Sequence, residues 1–151
     1  MRLSSYFIDI KHRECRIQAY DVKNTLIDVI ALDRVDIFLD GLEINSDTRP
    51  YINQDSRTMV PLRLIAEKLG ADVFWNNIQR SVTIDDNQNN IQMTINTKVV
   101  MMNGKNIKMD TSPVIENSRV MVPIRFITEY LGASVEWNAN QKTININSNT
   151  N

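Results

Sequence analysis

Few residues in this chain have the types and spacing that chemistry requires. His12 and Cys15 are separated by two residues, with no second pair of ligands behind them. A cysteine nucleophile activated by that histidine would also need a third group to orient the imidazole. Met101, Met102, Met109 and Met121 suggest a soft site for a monovalent metal. However, Met101 and Met102 are neighbours in an extended stretch, where consecutive side chains point to opposite faces, so they cannot grip one ion together. Packing is the expected role of these methionines. With four glycines in the whole chain there is no phosphate-cradling loop. The sequence therefore offers no catalytic residue, no metal ligand set and no cofactor motif. The expectation is a protein that is not an enzyme and carries no cofactor.

Binding chemistry is better represented. Trp75 and Trp137 are candidate stacking platforms for a sugar ring. Each also follows a valine by two residues, Val73 and Val135, which puts both on one strand face and predicts a core position. The intervening residue is Phe74 in one stretch and Glu136 in the other, as suits an outward site, so Phe74 is the better exposed contact. Arg57 with Arg63, and Arg119 with Arg125, recur at the same spacing. They frame an anion site where helix N–H groups are free, or they tie a loop carbonyl or carboxylate to the helix or stack on the tryptophan. The latter role is the expected one. Phe74, Tyr130, Arg63 and Arg125 are the candidate interaction residues. Trp75, Trp137, Pro61, Pro123, Gly70 and Gly132 are the structural ones.

These pairings reflect an internal repeat. Asp40-Gly41-Leu42-Glu43-Ile44 returns as Asn103-Gly104-Lys105-Asn106-Ile107, and Asp47-Thr48-Arg49-Pro50 as Asp110-Thr111-Ser112-Pro113, 63 residues on. Arg57-Thr58-Met59-Val60-Pro61-Leu62-Arg63 then matches Arg119-Val120-Met121-Val122-Pro123-Ile124-Arg125 at 62 residues. The missing residue falls among turn formers, where a length change is cheap. Leu69-Gly70-Ala71, Val73, Trp75-Asn76 and Gln79 recur at the same 62-residue spacing.

Each copy predicts the same elements. A strand over Val35 to Leu39 is followed by an Asp-Gly hairpin turn and a strand through Ile44. After Pro50 comes a short extended piece, Thr58 to Val60, and Pro61 opens a helix where its missing N–H is harmless. Leu62, Ile65, Ala66 and Leu69 form one apolar stripe, matched by Ile124, Ile127, Thr128 and Leu131. Gly70 and Gly132 supply left-handed caps. Two strands close each copy. A helix this short is marginal alone and must pack on a sheet. The predicted fold is α+β, mostly antiparallel, with one short helix in each of two tandem ββαββ-like repeats and an N-terminal β-hairpin segment. The expected boundaries are 1–33 for that segment, 35–84 for repeat one, 85–97 for a linking strand, 98–146 for repeat two and 148–151 for a polar tail.

Within 1–33, Tyr6 to Ile10 and Cys15 to Tyr20 alternate about a charged turn, Lys11 to Glu14, and Leu26 to Ala31 adds an apolar stretch. A lone hairpin is unstable in water, so the segment must pair with something and is the expected docking element. Seventeen Lys and Arg against eighteen Asp and Glu leave a charge near zero, which argues against a nucleic-acid partner. The single cysteine forms no intramolecular disulfide. No stretch reaches the roughly 18–20 apolar residues of a membrane span. The charged residues from Asp9 to Glu14 interrupt any signal-peptide core, so export by the standard route is not expected.

The Asn/Asp-Gly hairpin, Val-Pro-Leu/Ile-Arg, Leu-Gly-Ala and Val-x-Trp-Asn series resembles the copper amine oxidase N-terminal-like domain, or stalk domain, from Val35 to Ile146. The resemblance implies a non-catalytic accessory module of the bacterial cell envelope or surface, beside wall-binding or wall-degrading domains. A copper site is not implied for this chain, which has one histidine and no room for an oxidase domain with its modified tyrosine. The expected partners are proteins of a larger assembly or a cell-wall polymer, with no nucleic acid and no membrane insertion. The main expectation is a module that docks or spaces partners. The alternative is a small structural subunit of a phage tail or a phage-derived contractile injection particle.

Overall fold

The structure, a computed structural model, describes the backbone of residues 3–11, 14–21 and 26–33 and all atoms of residues 35–149. The chain divides into two compact units, Met1–Val35 and Asp36–Asn151. In the first, β1 (Leu3–Lys11), β2 (Glu14–Asp21) and β3 (Leu26–Asp33) form an antiparallel sheet in the order β1-β2-β3. Lys11 stands opposite Glu14, and Glu14 opposite Asp33. His12 lies outside the described residues, as does the side chain of Cys15.

The second unit opens with the hairpin β4 (Asp36–Leu39) and β5 (Leu42–Ile44). Its two-residue turn holds Asp40 at φ 48° and Gly41 at φ 79°, the doubly left-handed geometry that matches strand twist. The second copy repeats the turn at Asn103 and Gly104, between β11 (Val99–Met102) and β12 (Lys105–Lys108). Next come the short β6 (Tyr51–Ile52) and β7 (Thr58–Pro61), matched by β13 (Val114–Glu116) and β14 (Arg119–Pro123). The helices are α1 (Leu62–Lys68) and α2 (Ile124–Tyr130). The closing strand pairs are β8 (Asp72–Asn76) with β9 (Ser81–Asp85), and β15 (Ala133–Asn138) with β16 (Thr143–Ser148). The linking strand is β10 (Asn90–Thr94).

The prolines differ slightly from expectation. Pro61 and Pro123 end their strands in extended conformation, φ −63° and −60°, and stand one residue before the helix rather than in its first turn. Of the predicted stripe, Leu62, Ile65 and Ala66 are buried on α1 and Ile124, Ile127 and Thr128 on α2, while Leu69 and Leu131 follow the helices and are half-buried. The buried Thr128 hydroxyl donates to the Ile124 carbonyl, 3.1 Å away. At the end of α1, Ala71 N–H donates to Ala66 O and Gly70 N–H to Glu67 O, with Gly70 at φ 88°. This double closure needs a left-handed residue, which glycine provides at least strain.

The strands do not group copy by copy. The five-stranded sheet runs β12-β11-β10-β9-β8 and a four-stranded one runs β15-β16-β4-β5. Each of these sheets joins the closing pair of one copy to the opening hairpin of the other. Strand β10 stands between β9 and β11, whereas β16 pairs directly with β4, in parallel, so the two sheets differ by one strand. The third sheet, β13-β14-β7-β6, contains strands of both copies. At its centre Val60 opposes Val122, flanked by Pro61 opposite Met121 and Met59 opposite Pro123. Met59, Val60, Met121 and Val122 are buried.

This interleaving predicts one cooperative unit, because no sheet of residues 36–149 can be built from one copy. Residues 36–88 and 89–149 expressed separately should lack stable structure by circular dichroism, and the whole chain should show no separate melting of the two copies. In the same melts, Met121→Ala should cost about 2–5 kcal/mol, as for a fully buried methionine. Two halves that melt independently would contradict the interleaved packing.

Candidate functional site

Two concave grooves lie at repeat-related positions. The first, of about 300 Å³, is lined by Trp137, the start of α2 and the β6–β7 turn that carries Arg57. The second, of about 840 Å³, is lined by Trp75, the start of α1 and the β13–β14 turn that carries Arg119. Each groove therefore has a helix and tryptophan strand from one copy and a turn from the other. The linings differ in their aromatic content. Phe126 and Tyr130 occupy the positions of Leu64 and Lys68, with their rings 4.4 Å apart between centroids.

The tryptophans require a correction. Both were expected in the core, yet Trp75 is 38% and Trp137 45% exposed. Val73 and Trp75 do share one face of β8, and Val73 is buried. What fails is the cover. A seven-residue helix spans about 10 Å, and the five residues of β8 span about 17 Å, so the far end of the strand face runs past the helix into the groove. Phe74, on the opposite face, is 59% exposed and belongs to neither groove. Its row continues across the sheet through Thr83, Gln92 and Met101.

Across each groove an arginine of one copy meets an aspartate of the other. Arg57 donates through Nε to Asp110 Oδ2 at 2.9 Å, with the other contact at 2.8 Å. Arg119 makes the matching pair with Asp47, and its hydrogen bonds hold the Asp47 carboxyl below the usual carboxylate range. The guanidinium-to-carboxylate tie is thus the role of Arg57 and Arg119, and the aspartates are the residues that sequence reasoning missed. Their signal was present in the matching Asp47-Thr48 and Asp110-Thr111, but nothing in one copy pointed to the arginine of the other. Arg63 pairs with Glu67 one turn along α1, 3.4 Å away. Arg125 and Tyr130 line the first groove, and Arg63 the second. The structure thus divides the four candidate interaction residues between two sites and an outer face.

The residues that recur at these grooves are those of the repeated motif, and the comparison with known families falls on the same segment. The copper amine oxidase N-terminal domain model matches residues 38–146. The chain belongs to the copper amine oxidase N-terminal domain family. That domain is a non-catalytic part of the oxidases. No curated protein matches the chain. The described side chains do not fit the copper of the family's name. Among the described residues no three His, Cys, Asp or Glu side chains cluster as metal ligands, and Met109 and Met121 are buried in the packing. Among the described residues no helix is long and apolar enough to cross a membrane.

Half-buried rings have less to lose than core rings. Trp75→Ala and Trp137→Ala should each cost roughly 1–2 kcal/mol, below the ~3–5 of a fully buried aromatic, and Phe74→Ala under about 1 kcal/mol. Thermal melts of the three variants, with acrylamide quenching of tryptophan emission, check this. Losses for the tryptophans in the full core range would restore them to the interior.

Proposed function

We propose that this family member is a non-catalytic docking module, with the repeats as the displayed body and the two grooves as its contacts. The observation that carries this reading is the pair of half-exposed tryptophans, each in a concavity built by both copies. Concave sites with an apolar floor and a few convergent polar groups are where ligands bind, and both volumes fall in the ~300–1,000 Å³ range of such sites. The resemblance in the sequence supports the bacterial cell envelope as the setting, where such a module docks or spaces its partners.

The N-terminal unit is the element that joins the module to its assembly. Strands β1 and β3 are the two edges of its small sheet, and edge strands offer unpaired backbone groups to another chain. Deleting residues 1–33 should leave the repeat body folded but unable to join its assembly. Unfolding of the truncated chain would make the segment part of the core, and unimpaired assembly would move the interface to the repeats. The grooves are tested separately. A photo-activated cross-linking residue at position 75 or 137 should give adducts with a partner, and one at position 101 on the outer sheet face should not. Adducts confined to position 101 would refute the groove reading.

A further inference from the structure

We infer that each groove takes a neutral sugar ring against its tryptophan, and that the natural ligand is an uncharged glycan. The inference rests on the groove reading above and names the ligand class. Charge is the first argument. The first groove is lined by Arg57, Lys108 and Arg125 against Asp110, Glu129 and Glu136, and the second by Arg63 and Arg119 against Asp47 and Glu67. Each lining balances, and several of its charges are already tied to one another across the rim or along the helix. A polyanion or polycation would meet as much repulsion as attraction and would have to break these pairs.

A polyhydroxylated neutral ligand has no such difficulty. A guanidinium carries five donors and a carboxylate about four acceptor positions, so a single pair leaves both with capacity. Arg57 places both of its short contacts on Asp110 Oδ2, and among the described residues no hydrogen bond falls on Oδ1. Neighbouring hydroxyls on a sugar match such fixed, paired donors and acceptors. The indole supplies the rest. Its negative face attracts the polarised C–H bonds on one side of a pyranose ring and covers that apolar side from water. A proline-rich peptide, the competing occupant, is held between several aromatic rings. The second groove has one, Trp75, whereas the first sets Phe126 and Tyr130 beside Trp137, so the peptide arm of the test bears on the first groove. Two matching sites on one body suit a ligand built of repeated rings, each ring offering the same apolar face and hydroxyls to either groove.

The chain holds two tryptophans and both lie in grooves, so its emission reports these sites alone. The full-length chain is titrated with N-acetylchitohexaose, with cellohexaose and with a proline-rich decapeptide, following emission and heat. A saturable change with at least one hexasaccharide is expected, much weaker with the corresponding monosaccharide. Trp75→Ala and Trp137→Ala should each weaken binding by about tenfold or more, and the double variant should abolish the heat. Trp75→Phe and Trp137→Phe, which keep a ring in place, serve where an alanine variant fails to fold. They should leave one emitting site apiece, still responding to sugar. No response to either hexasaccharide overturns the inference, as does binding of the peptide alone. Cross-linking at positions 75 and 137 to a partner, with no sugar response, would remove the glycan and leave the docking role. Failure of both would remove the grooves as sites.

Discussion

The antiparallel pairing of Thr58–Pro61 with Arg119–Pro123 is the constraint on which the rest of the repeat body depends. Val60 and Val122 face each other at its centre, and each copy's helix leaves from the proline at the end of its strand. Because these strands lie 62 residues apart, forming the pair closes a long loop, and that entropy must be offset by non-local burial. The burial is extensive at this point. Met59, Val60, Met121 and Val122 are buried, and both helices pack on these strands as well as on the closing strand of their own copy. Each copy's hairpin and closing pair form within the copy, but every sheet of the body is completed by strands of the other.

The grooves are a consequence of that pairing. When the two central strands meet, the turn of each copy is carried to the rim beside the other copy's helix and tryptophan. The Arg57–Asp110 and Arg119–Asp47 pairs form there. They are solvent-exposed, so their worth lies in shape rather than stability, as expected of surface ion pairs. Asn53 reinforces the same seam by donating to the buried Thr111 hydroxyl at 3.0 Å. Hydrogen bonds from Arg119 hold the Asp47 carboxyl below the usual carboxylate range.

The two halves of the body are similar but not equivalent. Strand β10 widens one sheet, while in the other the parallel pairing of β4 and β16 brings the two ends of the body together. Asp40 secures that closure, accepting from the Ser148 backbone N–H at 2.8 Å and its hydroxyl at 2.6 Å. β16 therefore runs to Ser148, where the sequence suggested that the polar tail begins. The two grooves share one design, with Phe126 and Tyr130 beside Trp137 in the first and no second aromatic beside Trp75 in the other.

The local content of this protein was legible in its sequence. The Asp40-Gly41 and Asn103-Gly104 turns, the helical stripes and the left-handed Gly70 are written in residues a few positions apart, because turn chemistry and helical periodicity act over that range. The repeat itself was plain, and with it the family. What period two could not say was how far along its face β8 is covered, so Trp75 and Trp137 were assigned to a core whose edge they mark. Nor could matching residues at a fixed spacing say which copy's arginine meets which copy's aspartate. A repeat read along the chain suggests two units side by side, and the exchange of hairpins between them is set by burial across long separations. Strand pairing carries no local signal for its partner, so only the tertiary structure decided that each groove belongs to both copies.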